Sequence, residues 1–504
     1  MTAGEIVAVD LGATSGRVML ASVGPDRLSL RQTARFPTGP MRLWQGDRTA
    51  LVSDLPGIVA HAVEGLAVAA RAADHVHAIG VDSWAVDYGL LRDGRLLGLP
   101  YHYRDTRSES GVSAVHAVVT PEDLHARNGL QFLPFTTVYQ LAADEFTGVL
   151  DGAERALLIP DLVAYWLTGE MVTERTNAST TGLLGIDGRW DDDLCRRVGL
   201  PTGLFPDLVE TGSDVGPILA GVAEATGLDG GTRVVSVATH DTASAVVAVP
   251  MDPTRAAYIS CGTWGLVGVE LDGPVASDAA RTAGFTNEVG ADGRARFLHN
   301  VMGLWLLNES VEHFRRRGHV ADLATVLDQA ADLPTSDAVI DVDDPRFAAP
   351  GDVPVRIDDW LTERGLPVPG SPAATVRLIV DSLAVAFADA VRSAGDLSGV
   401  PVAAVHMVGG GAQNALLCQC VADRLGMPVL AGPVEATAIG NVLVAARSQG
   451  LVAGGLDALR EIVRRQCAVR RFVPRSTSTR TSRRRDAHLL PSTAPAVDPG
   501  KVLS

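Results

Sequence analysis

Asp241 lies in the run Thr239-His240-Asp241-Thr242-Ala243-Ser244-Ala245, directly after the apolar stretch Arg233 to Ala238. A carboxylate at the C-terminal end of a strand sits where ligands gather in α/β folds, and it can accept a proton from a bound hydroxyl. The same Asp before Thr, Ala and Ser is also a good helix N-cap, and the spacing alone does not choose. A Ser-His-Asp hydrolase fits poorly, because no Gly-x-Ser-x-Gly elbow accompanies it. A second candidate is the loop from Asp10 to Arg17. Gly12 and Gly16 permit tight turns, Thr14 and Ser15 supply hydroxyls, Arg17 adds a positive charge, and the backbone N–H groups suit phosphate. Asp10, ending the strand, is placed to hold waters around Mg²⁺ rather than bind the ion directly; an ordinary hairpin with an Asp-capped turn explains the same residues. Thr263, in Cys261-Gly262-Thr263-Trp264-Gly265, occupies a similar turn in the second half. Val408-Gly409-Gly410-Gly411-Ala412-Gln413-Asn414 offers a side-chain-free surface for a flat adenine, or simply a strand exit. It is not a dinucleotide fingerprint, since position 414 is Asn, and no Gly-Lys-Ser/Thr marks a P-loop.

The elements that must carry these residues follow an α/β alternation. Ile6 to Val9 and Val18 to Ala21 read as strands flanking the first loop. Ile58, Val59, Ala62, Val63 and Leu66 recur at helical spacing behind Ser53 or Asp54, and Val76 to Val81 follows as a strand. From about residue 246 the theme repeats: Ala257 to Ser260, a glycine-containing turn, then Leu266 to Val269. A buried helix through Leu378, Leu383, Phe387 and Val391 precedes a strand at Ala404 to Val408. The expectation is a duplicated two-lobe α/β protein with boundaries at 1–246 and 247–474. Residues 475–504, rich in Ser, Thr, Arg and Pro and including Arg483-Arg484-Arg485, form a tail expected to be disordered.

At 504 residues the chain exceeds what one hydrophobic core serves, which favours two lobes around a cleft. A formal net charge of −16 disfavours nucleic acid and anionic membrane as partners, so any site for an anion must be built locally. Five cysteines give no disulfide framework, which points to a reducing cytoplasm. No run reaches the roughly 18 uninterrupted apolar residues of a membrane span, and no basic leader opens the chain. Oligomeric state is not legible.

Together these segments resemble the FGGY carbohydrate kinases, two actin-like, ribonuclease-H-like lobes around an ATP and sugar cleft. The resemblance runs through Val9-Asp10-Leu11-Gly12-Ala13, Asp82-Ser83-Trp84-Ala85-Val86-Asp87, Tyr103-Arg104-Asp105-Thr106-Arg107 and Gln131-Phe132-Leu133-Pro134-Phe135. It continues in Thr176-Asn177-Ala178-Ser179-Thr180-Thr181, His240 to Ala245, Asn300-Val301-Met302-Gly303-Leu304-Trp305 and Gly432-Pro433-Val434-Glu435-Ala436-Thr437, covering residues 5 to 475. It implies that Asp241 is the proton acceptor and that Ala85, His240 and Thr242 line the sugar. Ala13, Thr14, Ser15, Gly16 and Arg17 would contact ATP, joined by Thr263, Asn300, Asn308 and Gly410, with Mg²⁺ as cofactor. Ala85 stands where the family has glycine, and Asn308 where it has glutamine. The absence of the family's Lys and Trp after Pro134 points to the branch acting on L-rhamnulose, with L-rhamnulose 1-phosphate as product. L-fuculose, L-xylulose and L-ribulose are alternative ketoses, and a non-catalytic ATP-binding sensor is the alternative class.

Overall fold

The computed structural model describes residues 3–319 and 322–475. The expected disordered tail lies, apart from its first residue, outside the described residues. Two sheets organise the rest. The first contains β1 (Gly4–Leu11), β2 (Ser15–Gly24), β3 (Arg27–Pro37), β4 (Val76–Ser83), β5 (Ser213–Pro217) and β6 (Arg233–Ser236), in the order β5-β6-β4-β1-β2-β3. The second contains β7 (Ala256–Cys261), β8 (Trp264–Leu271), β9 (Thr286–Val289), β10 (Ala295–Met302), β11 (Ala404–Val408), β12 (Val429–Ala431) and β13 (Arg470–Phe472), in the order β9-β10-β8-β7-β11-β12-β13.

The duplication seen in the sequence is a duplication of pairing. In the first sheet β1 runs antiparallel to β2, β2 antiparallel to β3, and β1 parallel to β4, which is parallel to β6. In the second, β7, β8, β10, β11 and β12 repeat that pattern of directions. The two phosphate-type turns, 12–14 and 262–263, therefore join the corresponding hairpins. Both strand pairs extend further than their apolar runs indicated, because Asp10 and Arg17 still sit opposite each other in the ladder and shorten the first turn to three residues.

Helix α1 (Leu55–Ala72) starts at Asp54, whose carboxylate accepts from the Gly57 N–H at 3.1 Å. This helix is long and apolar enough by composition to cross a membrane. Its Leu55, Ile58, Leu66 and Ala69 are buried in one core with Val7 and Val9 of β1. Helix α2 (Asp241–Val247) leaves the first sheet. Later come α3 (Trp305–Arg316), α4 (Pro372–Ser398) and α5 (Ala415–Leu425), then α6 (Ala436–Ser448) and α7 (Leu456–Gln466). Although α6 and α7 come late in the chain, Ile439, Val442, Leu443, Leu459 and Val463 share a core with Ile6 and Ala8 of β1, Val246 of α2 and Tyr258 of β7. The two sheets are thus joined through one apolar layer. Arg460 of α7 strengthens it with a bidentate pair to Glu270, at 2.8 and 2.9 Å, both side chains being buried.

Candidate active site

The C-terminal ends of β1, β4 and β6 converge, and the site grows from them. At the end of β4 the Ser83 N–H donates to Thr239 O at 2.9 Å, carrying the ladder past β6 to His240. Glu174, fully buried, accepts from the Thr176 N–H at 2.9 Å, from the Thr239 N–H at 3.1 Å and from Thr239 Oγ1 at 3.0 Å. Thr176 Oγ1 in turn accepts from the His240 N–H at 3.3 Å. This clamp explains why a Glu-Arg-Thr-Asn segment matters 65 residues before the strand end: it fixes the backbone from which Asp241 projects. His240, extended at φ −75°, ψ 120°, occupies the cap position of α2 without a side-chain cap hydrogen bond, and Asp241 is the first residue of the helix. Helix capping is therefore not its role.

Asp241 opens into a cavity of about 440 Å³ walled by both halves of the chain. Ala85, His240 and Thr242 line it near the ends of β4 and β6, as do Asp10, Ala13, Thr14, Ser15 and Arg17 from the first hairpin. Thr263, Asn300, Asn308 and Gly410 line it from the second half. Gly16 does not line it: it is buried opposite Phe36 in the ladder, and a Cβ there would lie 2.4 Å from the Phe36 ring. Its glycine answers strand packing.

The charges are arranged unequally. Burial raises the Asp241 carboxyl above the ordinary carboxylate value, and the nearby Asp10 adds to this; the His240 ring and hydrogen bonds from Thr242 oppose it without cancelling it. Thirty per cent of the Asp241 side chain stays accessible. Asp10 is also raised by burial, against the pull of Arg17, whose Nε donates to Asp10 Oδ2 at 2.9 Å while Nη1 pairs with Glu435 at the start of α6. Beside Asp10 in the parallel register lies Asp82, fully buried and pushed well up by burial and then by the Asp10 charge. Asn441 Nδ2 of α6 donates to Asp82 Oδ2 at 2.6 Å.

The remaining wall is aromatic and strained. Asp87 Oδ2 accepts from Trp84 Nε1 at 2.8 Å and from the Tyr103 N–H at 3.1 Å, joining two wall residues. Burial lifts Asp87 to about 7 despite these donors and Gln140. Between them Val86, a β-branched residue, adopts φ 67°, a left-handed conformation that costs of order 1–2 kcal/mol. Thr137 Oγ1 donates to its carbonyl at 2.7 Å and holds it there. Across the cavity, Gln131 Oε1 accepts from Asn300 N at 3.1 Å and Nδ2 at 3.2 Å, so an amide of the first half fixes one of the second. Thr180, Thr286, Glu288 and Glu435 also line the cavity, although their own letters do not mark them as site residues. Thr180 and Glu435 fall inside the family-like motifs. Thr286 and Glu288 lie in no motif, and they belong to the polar run Thr286-Asn287-Glu288 of a short strand.

Paired hairpin turns and a strand-end carboxylate face one cleft, on two sheets of repeated topology, as in a phosphotransferase of the actin-like kind. The family model "FGGY family of carbohydrate kinases, N-terminal domain" matches residues 5–248, and the C-terminal domain model matches 257–449. The chain belongs to the FGGY family of carbohydrate kinases. It is 41% identical over 507 residues to a rhamnulokinase of Pectobacterium carotovorum, covering 98% of each chain, and 40% identical over 486 residues to one of Klebsiella pneumoniae, covering 95% and 96%. Among solved structures it is similar to a gluconate kinase of Lactobacillus acidophilus (TM-score 0.74, 19% identity, 94% of each chain). It is also similar to a xylulose kinase of Rhodospirillum rubrum (TM-score 0.73, 22% identity, 94% of each chain). Kinases of this family use ATP.

Proposed function

We propose that this chain transfers the γ-phosphoryl group of ATP to O1 of L-rhamnulose, with Asp241 accepting the hydroxyl proton. The observation that carries the reading is the Asp241 carboxylate, fixed at the end of β6 and open to a cavity that both hairpin turns also face. The 40% likeness to named rhamnulokinases over nearly the whole chain supports the sugar assignment.

Phosphoryl transfer passes through a loose transition state, so the protein mainly holds the hydroxyl in line and neutralises charge. An alcohol is far less acidic than any carboxylic acid, so Asp241 orients the hydroxyl and takes its proton late, as the O–P bond forms. A carboxyl held above its ordinary value is a better base for that step. Ala13, Thr14, Ser15 and Thr263 would hold phosphate oxygens from two sides, and Gly410 would leave room for the adenine. Arg17 pulls Asp10 toward its ionised form and orients it, with Glu435 holding the far side of the guanidinium. Mg²⁺, when bound with the nucleotide, would neutralise phosphate charge. The buried Asp10 carboxylate fits a role through metal-bound water, and among the described residues no group of three or more His, Cys, Asp or Glu could hold a metal on its own.

Purified protein with ATP, Mg²⁺ and a panel of ketoses, read by coupled ADP release, tests the assignment. Turnover on L-rhamnulose with the highest kcat/KM is expected. A higher value for L-fuculose, L-xylulose or L-ribulose overturns the substrate assignment, and nucleotide binding without ADP release on any sugar overturns the kinase reading.

A further inference from the structure

His240 is held from behind by two buried ions. Arg296 of β10 is fully buried and its Nε donates to Val289 O at 3.2 Å, anchoring it to β9. Arg296 Nη2 lies 2.8 Å from Glu288 Oε2 and 3.1 Å from His240 Nδ1, and Glu288 Oε2 lies 3.2 Å from the same Nδ1. On the far side of the ring, His240 Nε2 is 3.5 Å from Asp241 Oδ1. Burial alone would raise the Glu288 carboxyl, but Arg296 and then His240 outweigh it, so Glu288 is held below the usual range.

We propose that Glu288 is a positioning residue for phosphoryl transfer: braced by Arg296, its carboxylate fixes the His240 imidazole so that Nε2 stays against Asp241. Arginine can only donate and an ionised carboxylate can only accept, so Nδ1 faces a permanent donor and a permanent acceptor at once. With the hydrogen on Nδ1, Glu288 holds the ring directly; with the hydrogen on Nε2, Arg296 holds the ring and Glu288 holds Arg296. When Nδ1 accepts from Arg296, the hydrogen lies on Nε2 and points to the carboxylate that receives the sugar proton. Without Glu288 the ring can swing about its Cβ–Cγ bond, and Asp241 loses the imidazole that flanks it at 3.5 Å.

Position in the fold separates this pair from a core brace. Glu288 lines the cavity and its partner His240 does too, whereas Arg460 and Glu270, an equally buried pair, do not. Thr286, two residues earlier on the same face of β9, also lines the cavity, so this short strand is directed toward the ligand. The inference rests on the assignment of Asp241 as proton acceptor at the sugar end of the cleft.

The test is a cycle of Glu288→Gln, His240→Asn and the double variant, assayed on whichever ketose the wild type prefers. Glu288→Gln should raise the sugar KM about tenfold or more, the scale of one lost charged hydrogen bond, with the ATP KM within about twofold of wild type. In the double variant the sugar KM should be no worse than in His240→Asn alone, because Glu288 acts through His240. Additive losses, or an equal rise in both KM values, overturn the proposal. If Glu288→Gln does not fold because Arg296 is left unpaired, Glu288→Gln/Arg296→Met removes both charges. A raised sugar KM in that variant supports the proposal, and wild-type kinetics overturn it. Imidazole ¹⁵N spectra decide without turnover: the signal lost in His240→Asn should move in the Glu288 variant, and an unmoved signal refutes the proposal. If no ketose is phosphorylated, the kinase assignment fails, while these spectra still judge the role of Glu288.

Discussion

Asp241→Asn should produce a protein that is catalytically crippled and more stable than the wild type. The carboxyl is raised above 3.8 by burial first and by the Asp10 charge as well. A carboxylate whose folded pKa lies above its unfolded pKa favours the folded state less once ionised, by about 1.4 kcal/mol for each pH unit that separates the two. Asparagine keeps the shape, can still accept the 3.1 Å hydrogen bond from Thr242 Oγ1, and abolishes that cost at neutral pH. Against this stands the lost attraction between a negative charge and the N-terminus of α2, about 0.3–1 kcal/mol. The net expectation is a gain in stability, read as a higher urea midpoint at about pH 7.5. The same exchange removes the proton acceptor, so kcat should fall by about 100-fold or more, at least about 2.7 kcal/mol in the barrier, with nucleotide binding intact. Near-normal kcat would refute the proton-acceptor role. A lower urea midpoint with low kcat would refute the claim that the site holds this charge at a cost to the fold.

Other outcomes test the scaffold. Burial lifts Asp87 from 3.8 to about 7, so between these values the folded chain binds the extra proton and stability falls as pH rises. The stability of wild type relative to Asp87→Asn should therefore drop by up to about 4 kcal/mol between about pH 4 and 8, followed by urea denaturation; a pH-independent difference refutes it. Gly440 of α6 meets Ser244 O of α2 at 1.8 Å from where a Cβ would stand. Gly440→Ala should destabilise by about 1–3 kcal/mol and lower kcat by displacing the helix that begins at Asp241. Gly221→Ala, in the helix Ala220–Thr226 with nothing within 4 Å, should instead stabilise by about 0.5–1 kcal/mol. Equal effects of the two alanines in thermal and activity assays would show that the interhelical approach is not tight.

The strands that carry the site are legible because they are short apolar runs ended by residues with special demands: Ile6 to Val9 before Asp10, and Val76 to Val81 before the Asp82 to Asp87 segment. The repeat near residue 246 is legible for the same reason, and the sheets bear it out in strand order. By its letters Arg17 is a free cation for phosphate, but sequence distance hides its second partner, Glu435, 418 residues away. Gly16 looks like a turn glycine because pairing partners are not written in local sequence; Phe36 decides it. Glu288 and Arg296 escape notice because a buried ion pair is recognisable only when the fold brings the charges together, and as isolated letters they look like surface residues.

The late helix α6 lies against β1 and α7 against β3, while the two family matches divide the chain near residue 250. A hybrid enzyme spliced there, first half from this chain and second half from a relative, would graft foreign helices onto Ile6, Ala8 and Val246. It would also exchange Asn441 and Glu435, the partners of Asp82 and Arg17. Recombination at the obvious seam therefore cuts through a shared interior. Exchanges that respect the architecture must keep residues 435–466 with the first sheet and swap only what lies between.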